Sequence, residues 1–181
     1  MQNMRYQSLW DGTEAVVPFA ASKAETATLA RPSWVAAGSD CRGERADLGL
    51  TAIDCKVAPQ DTNGALYAIE LAIREKGGPA RHLHYAQEEW FYVVEGEFVI
   101  EVGLERMRLS PGDSVLAPRR VPHVWAHVDD GPGRMVITFT PAGKMEAFFR
   151  EAAKNHGLPP EDPVWWRAFD MELLGPPVAV K

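Results

Sequence analysis

The chain has 181 residues, 46% of them hydrophobic and 24% charged, with a formal net charge of −6, a composition that folds as a globular protein and argues against disorder or a fibrous class. The acidic balance comes without any Lys/Arg block to neutralise phosphates, so nucleic acid is not expected as a partner. No apolar run approaches the ~20 residues that cross a bilayer and the N-terminus has no basic region followed by an apolar stretch, so no membrane association is expected and the chain reads as cytoplasmic.

Residues 1–47 are rich in Ala, Ser and Asp with isolated Trp10, Phe19 and Trp34, the pattern of an arm anchored at intervals. Cys41 and Cys55 are expected as free thiols of a reducing compartment. From residue 48 to 140, short alternating or β-branched runs alternate with turn residues about every ten positions, which predicts an all-β sandwich or barrel. The predicted strands are 66–73, 81–85, 89–94, 97–102, 106–109, 114–117, 123–128 and 135–140. Gly77-Gly78-Pro79, Glu95-Gly96, Pro111-Gly112-Asp113 and the run Asp129 to Gly133 supply the turn conformations between them. After Pro141, Met145, Phe148, Phe149 and Ala152 recur at helical spacing until Gly157, Pro159 and Pro160 stop the pattern, giving one amphipathic helix. Trp165-Trp166 through Pro176-Pro177 reads as an extended tail packed on the barrel. The whole is one domain over 1–181: an arm (1–47), a barrel core (48–142), and a helix and tail (143–181).

Four of the five histidines, His82, His84, His123 and His127, fall on predicted strands of this β-domain. His82 and His84 are two apart, so their side chains leave the same face of one strand and can grip one ion. A carboxylate from the next strand, Glu88 or Glu89, and a third imidazole from a distant strand complete a site with open positions. Such a nitrogen-rich set suits one divalent transition metal, Fe, Mn, Ni, Co, Cu or Zn, and disfavours Ca and Mg.

The segment from His82 to Gly96, with HxH, four residues, Glu, six residues and Gly, resembles the first motif of the cupin superfamily. Gly112, Pro118 and His123 are similar to its second motif. This register selects Glu89 over Glu88 and His123 over His127, giving His82, His84, Glu89 and His123 as the metal ligands. The fold implied is the cupin double-stranded β-helix, a jelly-roll barrel, with an N-terminal arm and a short C-terminal helix. Asp61 to Ala65, Pro122-His123, Thr140 to Gly143 and Leu174 to Pro177 resemble bacterial single-domain, quercetin-dioxygenase-like cupins. Two positions depart from the pattern. The glycine expected six residues before the first histidine is displaced to Gly77, and Arg120 stands where the second motif commonly has Gly.

Strand parity builds a pocket around the metal. Glu89, Phe91 and Val93 share a face, as do His123, Trp125 and His127, so Phe91, Phe98, Trp125 and His127 are expected as an apolar substrate wall, with Ile100 beside them. His127 reads either as a hydrogen-bonded interior group or as a base near the metal, and Glu89 as a proton shuttle. The resemblance implies an oxygenase-type reaction on a small aromatic or enolisable substrate, with the metal acidifying a substrate oxygen while an open position admits dioxygen. Two alternatives stand beside it. A redox-neutral isomerase or lyase would want Arg81, Arg119 or Arg120 turned inward to hold an anionic substrate, and a non-catalytic binding module would use the same pocket without turnover. Trp90, Tyr92 and Val94 leave the opposite face apolar, so the arm or a second subunit is expected to cover it, and a homodimer is the expected assembly.

Overall fold

A computed structural model describes residues 32–154, 157 and 159–180; Trp10 and Phe19 of the expected arm lie outside them. In chain order the elements are β1 (Ala46–Asp47), β2 (Thr51–Val57), a 3-10 turn (Pro59–Thr62), β3 (Tyr67–Ile73), β4 (Arg81–His84), β5 (Glu88–Glu95), β6 (Phe98–Val102), β7 (Glu105–Leu109), β8 (Ser114–Ala117), β9 (His123–His127), β10 (Gly133–Thr140), α1 (Met145–Ala153), α2 (Pro163–Arg167) and β11 (Met171–Gly175). The strands form two sheets, a larger one ordered β1-β2-β3-β10-β5-β8 and a smaller one ordered β11-β4-β9-β6-β7. All named pairings are antiparallel. This is a jelly-roll β-barrel, as the all-β reading expects.

The barrel closes because one face of each sheet is apolar. Ile69, Leu71 and Ile73 on β3, Phe91 and Val93 on β5, Phe98 and Ile100 on β6, and Met135, Ile137 and Phe139 on β10 are all buried, at alternating positions that share the interior face. Burial of side chains of this size stabilises by roughly 1.5–3 kcal/mol each. The other face of β5 carries Trp90 and Tyr92, whose rings lie 5.8 Å apart, and Tyr92 and Leu116 remain exposed there.

Three expectations are corrected. β2 carries no alternating signal because residues Thr51 to Cys55 are buried on both faces, which erases the two-residue period. The tail is not simply extended: Asp162 caps a short helix, its carboxylate accepting a hydrogen bond from the Val164 amide at 2.9 Å with Pro163 at the first helical position, before β11 pairs with β4. These are start signals of a helix. Finally, Cys41 and Cys55 are not free thiols. They form a disulfide, and the cysteine part of the argument for a reducing compartment falls with it.

The disulfide belongs to a local seam that fixes the end of the arm. Cys41 donates its amide to the Cys55 carbonyl at 2.8 Å, the Cys55 amide donates to Asp40 Oδ2 at 2.6 Å, and Arg45 grips Asp54 through both carboxylate oxygens at 2.7 and 2.6 Å. Trp34, expected as an anchor, is 85% exposed and plays no such part. The bridge joins positions 14 apart, and closing a loop of about 15 residues is worth roughly 3 kcal/mol. Cys41→Ser with Cys55→Ser is therefore expected to lower stability by about 3 kcal/mol in urea denaturation, and added reductant should leave that double variant unchanged. Among the described residues, no helix is long and apolar enough to cross a membrane.

Candidate metal centre

Strand register brings the ligand candidates together. His82 and His84 project from β4 into the barrel, 5% and 1% exposed, and β4 lies against β9 with His82 directly opposite His123. Glu89 comes from β5 in the other sheet, between Phe139 and Ala117 in register. The four residues are all buried, and their donor atoms lie within 4.8 Å of one another. Glu88, one residue away, faces out and pairs with Arg119, so parity separates the two glutamates.

Hydrogen bonding fixes which ring nitrogen His82 and His123 present; His84 Nδ1 has no hydrogen-bond partner among the described residues. His82 Nδ1 lies 2.8 Å from the Ala80 carbonyl and His123 Nδ1 3.0 Å from the Val121 carbonyl. A carbonyl only accepts, so in both rings Nδ1 carries the proton and Nε2, in the neutral ring, carries a lone pair. Those two Nε2 atoms face the Glu89 carboxylate, His123 Nε2 at 2.9 Å and His82 Nε2 at 3.9 Å from Oε2, and His84 Nε2 joins them at 3.0 Å. Acceptors converging on acceptors in a buried chamber leave a deficit of positive charge, which a divalent cation resolves. Orientation of a ligating imidazole by a backbone carbonyl on its far nitrogen is the usual arrangement at metal sites. Three imidazole nitrogens and one carboxylate oxygen fit Fe, Mn, Ni, Co, Cu or Zn.

Electrostatics agree. Burial, aided by His123 and His84, pushes His82 well below the ordinary histidine value of 6.5, so its Nε2 stays unprotonated. Burial alone would raise the Glu89 carboxyl, but the His123 and His84 rings set against it outweigh burial and hold the group below the usual carboxylate range. The sign of the pH effect follows for metal-free protein. Below about 6.5 the unfolded chain protonates His82 while the folded chain does not, so this group opposes folding as pH falls. Glu89 does not titrate in either state between about 5 and 6.5. Stability in urea is thus expected to decline from pH 7.5 to 5.5, with His82 contributing up to about 1.4 kcal/mol per pH unit below 6.5; the slope should flatten in His82→Leu.

The cluster opens onto a cavity of about 60 Å³ whose polar end is His82 and Glu89. Its walls are apolar: Leu48, Leu50, Ile53 and Ile73 on one side, Trp125 and Phe139 within, and Met145, Phe148, Trp166 and Met171 from the C-terminal elements. Among the described residues, no Lys or Arg lines it. Of the expected substrate wall, Trp125 is present, whereas Phe91, Phe98 and His127 are absent from the lining and packed in the core at 0% exposure. His127 sits four residues along β9 from His123. Its Nδ1 lies 3.3 Å from the Glu75 carbonyl, its Nε2 has no hydrogen-bond partner among the described residues, and its ring packs 5.2 Å from Phe98. A Cβ placed on Gly133 would come within 2.7 Å of that ring, so His127 fills a niche that only glycine leaves open. The sequence marks Met145, Phe148 and Trp166 as helix-face and packed-tail residues, but not as walls of this cavity.

Arg120 has φ 63°, the left-handed conformation that glycine adopts without strain. The turn into β9 keeps the backbone shape of the resembling motif despite the changed residue, and Arg120 donates its amide to the His84 carbonyl at 2.7 Å.

Two antiparallel sheets closed on a buried three-histidine, one-glutamate cluster define a small β-barrel with a candidate metal centre. Residues 69–139 match the cupin domain family model (Cupin_2), so this stretch carries a cupin domain. It is 30% identical over 76 residues to uncharacterized protein SCO3923 of Streptomyces coelicolor, covering 42% of this chain and 67% of that protein. Among solved structures it is similar to an RmlC-like cupin from Shewanella frigidimarina, at 28% identity over 57% of this chain and 87% of that one, with a TM-score of 0.48. It is also similar to Pac13 of Streptomyces, described as a unique nucleoside dehydratase, at 15% identity over 74% and 85% of the two chains, TM-score 0.49.

Proposed function

We propose that this protein is a metal-dependent oxygenase-type enzyme acting on a small, uncharged, enolisable organic substrate. The observation that carries this reading is the junction of a cluster of three histidines and one glutamate with an apolar cavity that, among the described residues, no cation lines. A divalent transition ion held by His82, His84, Glu89 and His123 would supply Lewis-acid activation of an enol oxygen.

The chain's own residues do the rest. Ala80 and Val121 hold the His82 and His123 rings so that Nε2 points inward. Glu89, kept ionised by its histidine neighbours, can take the substrate's acidic proton at a carboxylate oxygen beside the cavity. The walls exclude water, which strengthens each of these interactions. His127, the other candidate catalytic group, is remote from the cavity lining and is not given a step.

The redox-neutral alternative for anionic substrates is disfavoured by the arginines that would have served it. Arg81 pairs with Glu101, Arg119 with Glu88, and Arg120 reaches the Tyr85 carbonyl at 3.3 Å. Dioxygen consumption by metal-loaded protein with a panel of small, non-aromatic enolisable ketones tests the proposal. Metal-dependent uptake with at least one of them supports it. No uptake with any, together with saturable binding, moves the protein to the binding-module reading. A second copy of the chain is the partner proposed for the outer face around Tyr92 and Leu116, for which light scattering of the purified protein is the check.

A further inference from the structure

We infer that Trp166 sets the upper size limit of the ligand that can reach the metal cluster, and that with Trp166 in place the site takes ligands no larger than a few heavy atoms. The inference rests on the reading above, that an organic ligand enters at the His82 and Glu89 end of the cavity.

The first argument is volume. A cavity of roughly 150 Å³ is what an apolar protein interior needs to admit a single benzene ring, and pockets for drug-sized ligands run to roughly 300–1,000 Å³. The cavity here measures about 60 Å³. It therefore has no room for an aromatic ring, still less a flavonol; the same proportion leaves space for roughly two or three heavy atoms, the small end of a ligand whose donor oxygens lie at the His82 and Glu89 end.

The second argument is position. Trp166 is, with Trp125, one of the two largest side chains that line the cavity, is 1% exposed, and lies with its ring centroid 5.1 Å from that of His82. It thus stands beside the chemistry and not merely at the entrance. An indole replaced by a methyl group vacates on the order of 100 Å³, enough to bring the space into the range that accepts a ring.

The third argument is that Trp166 is fixed. Its indole Nε1 donates to the Pro160 carbonyl at 2.7 Å, its amide donates to the Asp162 carbonyl at 3.2 Å, and Phe148 and Trp165 pack against it at 5.3 and 6.2 Å between centroids. The helix that bears it is tied down on its far side by β11, where Met171 pairs with His84 and Leu173 with His82. A tryptophan that makes its buried N–H bond and is packed on two sides is a wall and not a swinging gate. The barrel strands supply the ligands, and this C-terminal helix supplies the ceiling, so size selection is separable from metal binding.

The test uses Co(II)-loaded protein and two neutral metal-binding probes that differ only in bulk, acetohydroxamic and benzohydroxamic acid, followed by the visible absorption of the Co(II) centre. Wild type is expected to change its spectrum with acetohydroxamic acid and not with the benzo compound at millimolar concentration. Trp166→Ala should respond to both, with at least a tenfold gain in affinity for the larger probe, and Trp166→Phe should fall between them. The phenylalanine variant keeps the experiment decisive where the alanine variant fails to fold. Equal response of wild type and both variants to the larger probe would overturn the size limit while leaving the organic-ligand reading intact. Silence of the Co(II) spectrum toward both probes in all three proteins would overturn the organic-ligand reading and the size limit with it.

Discussion

His84→Ala is expected to abolish stoichiometric metal binding. His84 is 1% exposed, its Nε2 lies 3.0 Å from Glu89 Oε2, and its ring stacks 5.4 Å from that of His123, so the substitution removes one donor of four, and among the described residues no further His, Cys, Asp or Glu belongs to the cluster. Loss of a mere supporting partner of a metal ligand costs roughly 10- to 100-fold in affinity; loss of the ligand itself should exceed about 100-fold. Calorimetric titration with Zn(II) or Co(II), alongside elemental analysis of protein purified without added metal, reads this directly. A variant that keeps one equivalent of ion at unchanged affinity would show that the cluster is not a metal centre. Glu88→Ala is the matched control, since Glu88 faces Arg119 on the outside, and it should bind metal as wild type does.

The second large effect is expected from a single methyl group. A Cβ on Gly78 would lie 2.0 Å from the Trp125 carbonyl oxygen, 2.9 Å from its carbon and 3.1 Å from Ala126 Cα. All three are backbone atoms of β9 and cannot rotate aside. Beside it, Gly77 and His127 exchange both amide bonds, at 3.0 and 2.9 Å, so the loop before β4 is pinned to the strand that carries His123. Gly78→Ala must break that bridge or displace β9. Forcing extra volume into packed structure costs typically 1–3 kcal/mol and more where nothing yields, so about 3 kcal/mol is expected here. For a chain of this length that is a fall in melting temperature of roughly 6–12 °C. A change under about 2 °C would mean that the loop lifts away freely. Because Gly77, Gly78 and Pro79 also line the cavity, weaker metal retention should accompany the loss of stability.

Much of this was written in local spacing. The two-residue step from His82 to His84 and the turn residues bounding each run require only the period of a strand, and they place the ligand strands within a residue or so of their observed limits. Spacing alone leaves Glu88 and Glu89 both open; the register of the cupin resemblance selects Glu89, and Glu88 faces Arg119 outside. What spacing cannot convey is depth. His127 does share a face with His123, but four residues of strand are about 13 Å, and at that remove the ring meets Gly96, Gly133 and Phe98 instead of the cavity. Phe91 and Phe98 fail as pocket walls for the same reason: facing inward is not the same as reaching the open space. The true walls include Leu48, Leu50, Phe148, Trp166 and Met171, which lie outside the strands that hold the ligands; helical spacing marks Phe148 as buried, but not which space it faces. The disulfide was hidden because it depends on β1 and β2 meeting, and β2, buried on both faces, left no alternation to read.

The pairing of His82 with His123 has a consequence for how the molecule comes into being. These residues are 41 positions apart, and Glu89 reaches them from the opposite sheet, where its own strand is flanked by β10 and β8. Contacts of that span close late, because the entropy of looping out the intervening chain must be overcome before any of them is rewarded. An unfolded chain offers an ion little beyond the neighbouring His82 and His84. Tight capture of metal is thus a signature of barrel closure, and the rate at which refolding protein takes up Co(II) would time the final joining of the two sheets.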